Sequence, residues 1–220
     1  MTARLSFFFG RALPLGVFGF LVAIQAELAI AGLGRLGQGL DRAAGMYLLN
    51  RFLTLGFFAF LLVMYALRGR AVARDHNPLA VVAAMVGSFV LYTLILLPGP
   101  PRSTDLTVLV ASDLCLAAGM LQAIYALSYL RHRFSIVPEA RGLVTSGPYR
   151  LVRHPIYLGE ILAGFGLVLP TIAGLHAVVF LVFVAAEVVR TYYEEGVLRR
   201  TYPEYTAYAL RTRRLVPFVF

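Results

Sequence analysis

The sequence predicts an all-α, polytopic membrane protein: about six helical segments, the last two a short helical hairpin, followed by a cytoplasmic C-terminal helix. Three observations predict it. Apolar residues make up 60% of the 220 and charged residues only 14%, a balance foreign to a soluble domain of this size. Four apolar runs are each long enough to cross a hydrocarbon layer of about 30 Å as a helix. The arginines gather at the ends of those runs, as membrane topology requires.

The first run, 13–33, is too long for the apolar part of a cleaved signal peptide and lacks a clear cleavage site, so it reads as a retained helix. Runs at 46–67, 79–97 and 106–130 follow, each of spanning length. Two shorter runs, 156–169 and 175–189, flank the uncharged segment PTIAG at 170–174. Proline and glycine break a helix there, which predicts a hairpin that enters the membrane and returns to the same side. With the amino terminus in the cytoplasm, that side holds Arg4, Arg11, Arg68, Arg70, Arg74, Arg131, Arg133, Arg141, Arg150, Arg153 and the tail. The opposite side keeps Arg35, Arg42 and Arg102, with Arg51 just inside the second run. The positive-inside rule therefore places both termini in the cytoplasm. The chain divides into a four-helix transmembrane region, 1–130, and a polar-rich region, 131–220, whose long loop up to residue 153 reads as functional.

Several classes are excluded. The net charge of +9 rests on arginine alone, with no lysine, a bias that reflects genomic base composition. No basic face with interleaved aromatics exists, so nucleic acid is not a partner. The lone Cys115 sits in an apolar run, rules out disulfides and a cysteine zinc site, and reads as packing. Gly32, Gly34 and Gly37 spell G-x-G-x-x-G, but after a membrane helix and without a βαβ unit, so the match is accidental. His76, His132 and His176 lack metal-ligand spacing and read as ordinary surface or interfacial residues, so no metal is expected. Glu27, Asp113, Glu160 and Glu187 lie in or near apolar runs, where an ionisable group by default points to function. Helix-to-helix hydrogen bonding is the rival account. It weighs equally for Glu27 and Asp113, whereas Glu160 and Glu187 gain from nearness to the cluster described next.

That cluster is TSGPYRLVRHPIYLGE, 145–160. Pro155 suits the first position of a helix, where its missing N–H costs nothing, and His154 then stands at the cap. The first turn presents free amides and the positive dipole end to the loop, a place for a ligand carboxylate, with Tyr157 and Glu160 projecting nearby. In the tail, Arg190 and Glu194 are four apart on one helical face, with Glu187 one turn before. A solvated ion pair is the plain reading. Two polar constellations that end the two arms of one hairpin must nonetheless lie close together, which spacing alone makes an anion or small-molecule site.

LVTSGPYRLVRHPIYLGE and, after the hairpin, RTYYEEGVLRRTYPEYTAYALRTRRLVP resemble the isoprenylcysteine carboxyl methyltransferase family and its relatives among membrane phospholipid methyltransferases. The likeness covers roughly the last 90 residues and rests on R-H-P-x-Y-x-G combined with R-x-x-x-E-E. It implies that 131–220 is a catalytic region binding S-adenosyl-L-methionine. The family's cofactor contacts fall on Arg141, Gly142, Leu143, Val144, Tyr149, His154, Pro155, Ile156, Tyr157 and Glu194, and its substrate-binding arginine on Arg190. A further family contact falls near Phe134 and Ser135, where the match is poor.

Methyl transfer from a sulfonium is an in-line displacement, so the protein has mainly to align the reactants and stabilise changing charge. The catalytic candidates are Arg190, Glu195 and Arg153. Arg190 suits a carboxylate acceptor, which needs no base; an amine or phenol would need one, for which Glu195 or Glu194 is nearest, Glu194 being better suited to the cofactor. Two other functions stand beside this one. Sterol-type membrane reductases carry a similar R-H-P-x-Y segment near a nicotinamide dinucleotide, and a non-catalytic membrane scaffold would keep the fold, although the retained R-x-x-x-E-E argues against it. Expected partners are membrane lipids and a lipophilic small-molecule or lipidated acceptor. Prenylated cysteine serves eukaryotic relatives, whereas an arginine-only chain points to a bacterial inner membrane, with phospholipids or quinone-like lipids equally suited. Oligomeric state is not legible.

Overall fold

The computed structural model describes residues 8, 12–36, 42–67, 69, 71–75 and 77–217. Arg4, Arg11, Gly37, Arg68, Arg70 and His76 lie outside them, as do the side chains of Arg35 and Arg42. The described chain is mostly helical: α1 Leu13–Leu36, α2 Arg42–Ala66, α3 Pro78–Phe89 with a 3-10 extension Val90–Ile95, α4 Leu106–Leu130, α5 Pro155–Val168, α6 Gly174–Thr201 and α7 Tyr205–Arg211. Helices α1, α2, α4 and α6 contain stretches long and apolar enough to cross a membrane; α3 with its extension, and α5, are shorter apolar segments.

Local sequence sets the boundaries. Asp105 caps α4 by accepting from the amides of Thr107 and Val108, and Asn77 caps α3 by accepting from Leu79 with Pro78 in the first turn. The hairpin turn falls where Pro170 and Gly174 stand, in a 3-10 turn Leu169–Thr171 followed by Gly174 at φ +48°. Two expectations shift. The second hairpin arm does not stop near residue 189: α6 runs unbroken to Thr201, because no proline interrupts it and Glu187–Arg190 and Glu195–Arg199 pair along its length. The third run leaves α-geometry at Phe89, φ −130° and ψ −12°. That break lies two residues past Gly87, where a Cβ would come within 2.7 Å of Glu187 Oε1 and 2.8 Å of Arg190 Cδ on α6.

In hydrocarbon, apolar side chains gain little by facing one another, so helices associate through close backbone approach and polar contacts. The α4–α5 pair does both. A Cβ on Gly119 would lie 2.5 Å from the Gly159 carbonyl oxygen, one on Gly159 would lie 2.6 Å from that of Gly119, and Ser112 Oγ donates to Gly166 O at 2.6 Å. Gly32 and Gly34 lie inside α1, as helix residues. Asp113 accepts from Asn50 Nδ2 at 3.2 Å, the helix-to-helix account of that residue, whereas Glu27 is exposed on α1.

Connections gather at two ends. At one, strand β1 Ala73–Arg74 pairs antiparallel with β2 Glu139–Ala140, and Gly69 N donates to His132 O at 2.7 Å. At the other, Ser103 N donates to Pro170 O at 2.8 Å. His132 is exposed, as the sequence suggested. His176 is not: it is buried at the hairpin turn, with Nδ1 3.0 Å from Thr171 Oγ1 and its ring against Gly99.

Candidate active site

The R-H-P segment is held by the tail of the chain. Gly147 adopts φ +60°, with the Tyr129 ring where a Cβ would project, and opens the 3-10 turn Gly147–Arg150. Val152 bridges to Arg213 in parallel, Arg153 N donates to Arg213 O at 2.7 Å, and His154 N donates to Arg214 O at 3.0 Å. Tyr208 Oη donates to Tyr149 O at 2.6 Å. His154 then caps α5 with non-helical dihedrals and no side-chain capping bond, and Pro155 takes the first turn. The amides of Ile156 and Tyr157 consequently open toward the loop.

Beneath this segment lies a buried carboxylate surrounded by cations. Glu195 accepts from Arg153 Nε at 2.9 Å, Arg214 Nε at 2.9 Å and Nη2 at 3.1 Å, and Arg199 Nη2 at 2.8 Å, with His154 Nε2 3.3 Å away. Arg153 also donates to Ala209 O at 2.9 Å and to Thr212 O. The geometry makes Glu195 and Arg153 a clasp joining α6, the R-H-P segment and the tail. Glu195, named in the sequence as a base, has its oxygens engaged and does not line the adjoining cleft.

That cleft, about 700 Å³, gathers all ten residues expected to contact a cofactor: Arg141 to Val144, Tyr149, His154 to Tyr157 and Glu194. Phe134 and Ser135 line it as well. Tyr157 Oη donates to Glu194 Oε2 at 2.7 Å, His154 Nδ1 is 3.7 Å from the same oxygen, and the His154 and Tyr157 rings stack 5.5 Å apart at 12°. The Arg141 guanidinium donates to Gly69 O and, through Nε at 3.1 Å, to Glu139 Oε2, so that side chain anchors the loop. Glu139 also accepts from Ser135 Oγ at 2.8 Å and pairs with Arg74 Nε at 2.8 Å. Two lining hydroxyls, of Tyr149 and Tyr205, are buried without a hydrogen-bond partner among the described residues. Burial pushes the phenols of Tyr149, Tyr205 and Tyr208 upward from their ordinary range, so all three are neutral donors near neutral pH.

Arg190 faces elsewhere. It is fully buried, its Nη1 donates to Glu187 at 2.7 and 2.9 Å, and its Nη2 donates to Ile136 O at 3.2 Å. Its Cζ lies 4.6 Å over the Tyr157 ring, and Nη1 is 3.7 Å from Glu160 Oε2. Arg190 and Glu160 form the charged end of a second cavity of about 750 Å³, otherwise walled mainly by residues such as Phe18, Phe58, Leu91, Leu116 and Phe183. Phe134 lines both cavities, and Tyr157 with Arg190 separates them. Sequence reasoning missed this chamber, because it is assembled from six helices whose apolar residues look like any lipid-facing stretch. It also missed Glu139, Tyr205 and Tyr208, although the tyrosines' spacing of three on α7 places them on one face.

Residues 107–205 match the family model of the phospholipid methyltransferases. Over 79 residues the chain is 39% identical to the cobalt-zinc-cadmium resistance protein CzcN of Cupriavidus metallidurans, a stretch that is 34% of this chain and 35% of that protein. The chain thus covers only about a third of the length of that curated relative. The family match runs from the start of α4 to the start of α7 and so contains most of the residues lining the polar cleft.

Proposed function

We propose, from the premise that residues 107–205 form a phospholipid methyltransferase family domain, that this protein is an integral membrane methyltransferase using S-adenosyl-L-methionine and a lipophilic acceptor. The observation that carries the reading is the adjacency of two unlike cavities, one polar at a helix N-terminus and one mainly apolar among the helices, with Phe134 lining both and Tyr157 stacked against Arg190 between them.

The polar cleft fits the cofactor's chemistry. Amides at the start of α5 suit its carboxylate, Glu194 suits a cationic or hydroxyl group, and the Tyr149 and Tyr205 hydroxyls are buried donors in want of an acceptor. Leu130, Val137, Val144 and Leu198 offer an apolar bed for a heteroaromatic ring. Bound there, the cofactor would supply an activated methyl group on a sulfonium. The protein's part is then to hold the acceptor in line and to keep water out. The Glu195 clasp serves by fixing His154 and the start of α5, and Tyr157 by holding the Glu194 carboxylate. By the arginine distribution the cleft faces the cytoplasm, and a bacterial inner membrane suits the arginine-only composition.

Thermal unfolding in lipid nanodiscs tests the reading. S-adenosyl-L-methionine and its demethylated product should each stabilise the protein, by about 2.7 kcal/mol at a hundred times the dissociation constant. His154→Ala and Glu194→Ala should remove most of that shift. Stabilisation by a reduced nicotinamide dinucleotide instead would favour the reductase reading and end this one.

A further inference from the structure

The chamber beside the cleft carries an unusual balance of charge. Its charged end holds one guanidinium, Arg190, and two carboxylates face that guanidinium, Glu187 at 2.7 Å and Glu160 at 3.7 Å. A bidentate hold on an incoming carboxylate needs two free N–H groups on one edge of the fork. Arg190 is engaged at both ends of its fork: Nη1 is given to both oxygens of Glu187 and Nη2 to Ile136 O, while Nε is buried without a partner among the described residues. A carboxylate acceptor entering this chamber would therefore meet two carboxyl groups and an arginine already engaged. The sequence-level assignment of Arg190 as the clamp for an anionic acceptor does not suit this geometry.

Glu160 has the complementary property. Its Oε2 is buried and, among the described residues, makes no hydrogen bond, with Arg190 Nη1 at 3.7 Å facing it, and its side chain lines the apolar chamber. It stands one turn along α5 from Tyr157, whose ring forms part of the cofactor cleft, so it sits where the two cavities meet. Of the other carboxylates near this junction, Glu194 is held by Tyr157, Glu195 by the clasp and Glu187 by Arg190. The remaining polar residues lining the chamber, Thr54, Ser88 and Tyr92, carry no charge in their ordinary states.

Resting on the methyltransferase reading, we infer that the acceptor reacts through a group that must lose a proton, an amine or a hydroxyl on a lipophilic body, and that Glu160 is the base that takes it. In the step, the acceptor's lone pair forms a new bond to the methyl carbon while the carbon–sulfur bond breaks. The bonding pair leaves with sulfur as a neutral thioether, and the proton passes from the acceptor nitrogen or oxygen to a Glu160 oxygen. A neutral acceptor enters an apolar chamber at little desolvation cost, and the carboxyl oxygens of Glu160 and Glu187 at its end favour a group that becomes positive as it is alkylated.

The test uses the full chain in nanodiscs made with a total bacterial membrane lipid extract and S-adenosyl-L-methionine labelled in its methyl group. Binding is measured first by calorimetry without turnover, and its absence would refute the methyltransferase reading itself. Labelled lipid product is then treated with alkali, which releases methanol from a methyl ester but leaves N-methyl and ether groups in place. The inference expects the label to stay non-volatile, and expects Glu160→Gln to lower transfer about a hundredfold or more, the scale of a general base, with cofactor affinity within about twofold of wild type, far less than the tenfold that 1.4 kcal/mol of lost binding would produce. Glu160→Asp should retain part of the rate. Release of the label as methanol, or transfer by Glu160→Gln at the wild-type rate, would overturn it.

Discussion

Glu195 shows how a residue's type can mislead about its work. A glutamate beside a reactive-looking motif invites the role of base, yet this one sits among Arg153, His154, Arg199 and Arg214. Removing one partner of a buried ion pair typically costs about 3–5 kcal/mol, because the remaining charges stay buried without compensation. Glu195→Gln should therefore lower the unfolding temperature sharply in nanodiscs. Arg199→Ala removes a half-exposed partner and should cost under about 1 kcal/mol. The Arg199 partnership was legible from the i, i+4 spacing. Those of Arg153 and Arg214 were not, because they depend on the tail crossing back to pair with residues 152–154. The cluster around His154 and Pro155 was legible because a helix start announces itself in sequence. The carboxylate pairing of Arg190 was half visible: Glu187 stood one turn away, but nothing in the sequence told that it, rather than Glu194, takes the guanidinium.

Among the elements, the α4–α5 contact positions the site, since α5 is capped by His154 and carries Tyr157 and Glu160. Its closeness depends on Gly159, where an added Cβ would meet the Gly119 carbonyl at 2.6 Å and Ala123 N at 2.8 Å, both backbone atoms with little room to give. Gly159→Val should destabilise the protein by at least about 1–3 kcal/mol, the usual cost of overpacking, and should weaken cofactor binding by tilting α5. Gly56→Ala, in α2 with open space around it, should be neutral or gain up to about 1 kcal/mol. Thermal unfolding of the two variants side by side checks both. The hairpin was readable from proline and glycine at 170–174. The unbroken course of α6 was not, because the sequence turns from apolar to polar near residue 190 and a change in composition resembles an end, although the backbone needs none.

On the scale of the whole molecule, the described loops sort to two ends, with residues 69 and 72–75 bonded to 132–140 and residue 103 to the hairpin turn. If the arginine distribution sets orientation, a cysteine at the exposed position 145 should be labelled by impermeant reagent only from the cytoplasmic side and one at position 102 only from the other; the reverse pattern would invert the topology. The first helices contribute walls rather than chemistry: Phe18 of α1, Phe58 of α2 and Leu91 after α3 close the apolar chamber against α4, α5 and α6. Ser88→Phe, which projects a ring into that chamber, should lower methyl transfer while leaving cofactor affinity unchanged.

The central claim is that the cleft at the start of α5 holds S-adenosyl-L-methionine, and calorimetric titration of the cofactor into wild type, Glu194→Ala and Ser88→Phe in the same nanodiscs tests it most directly. One site per chain, lost in Glu194→Ala and kept in Ser88→Phe, is the predicted result. Equal affinity in wild type and Glu194→Ala, or no binding to wild type, would contradict it.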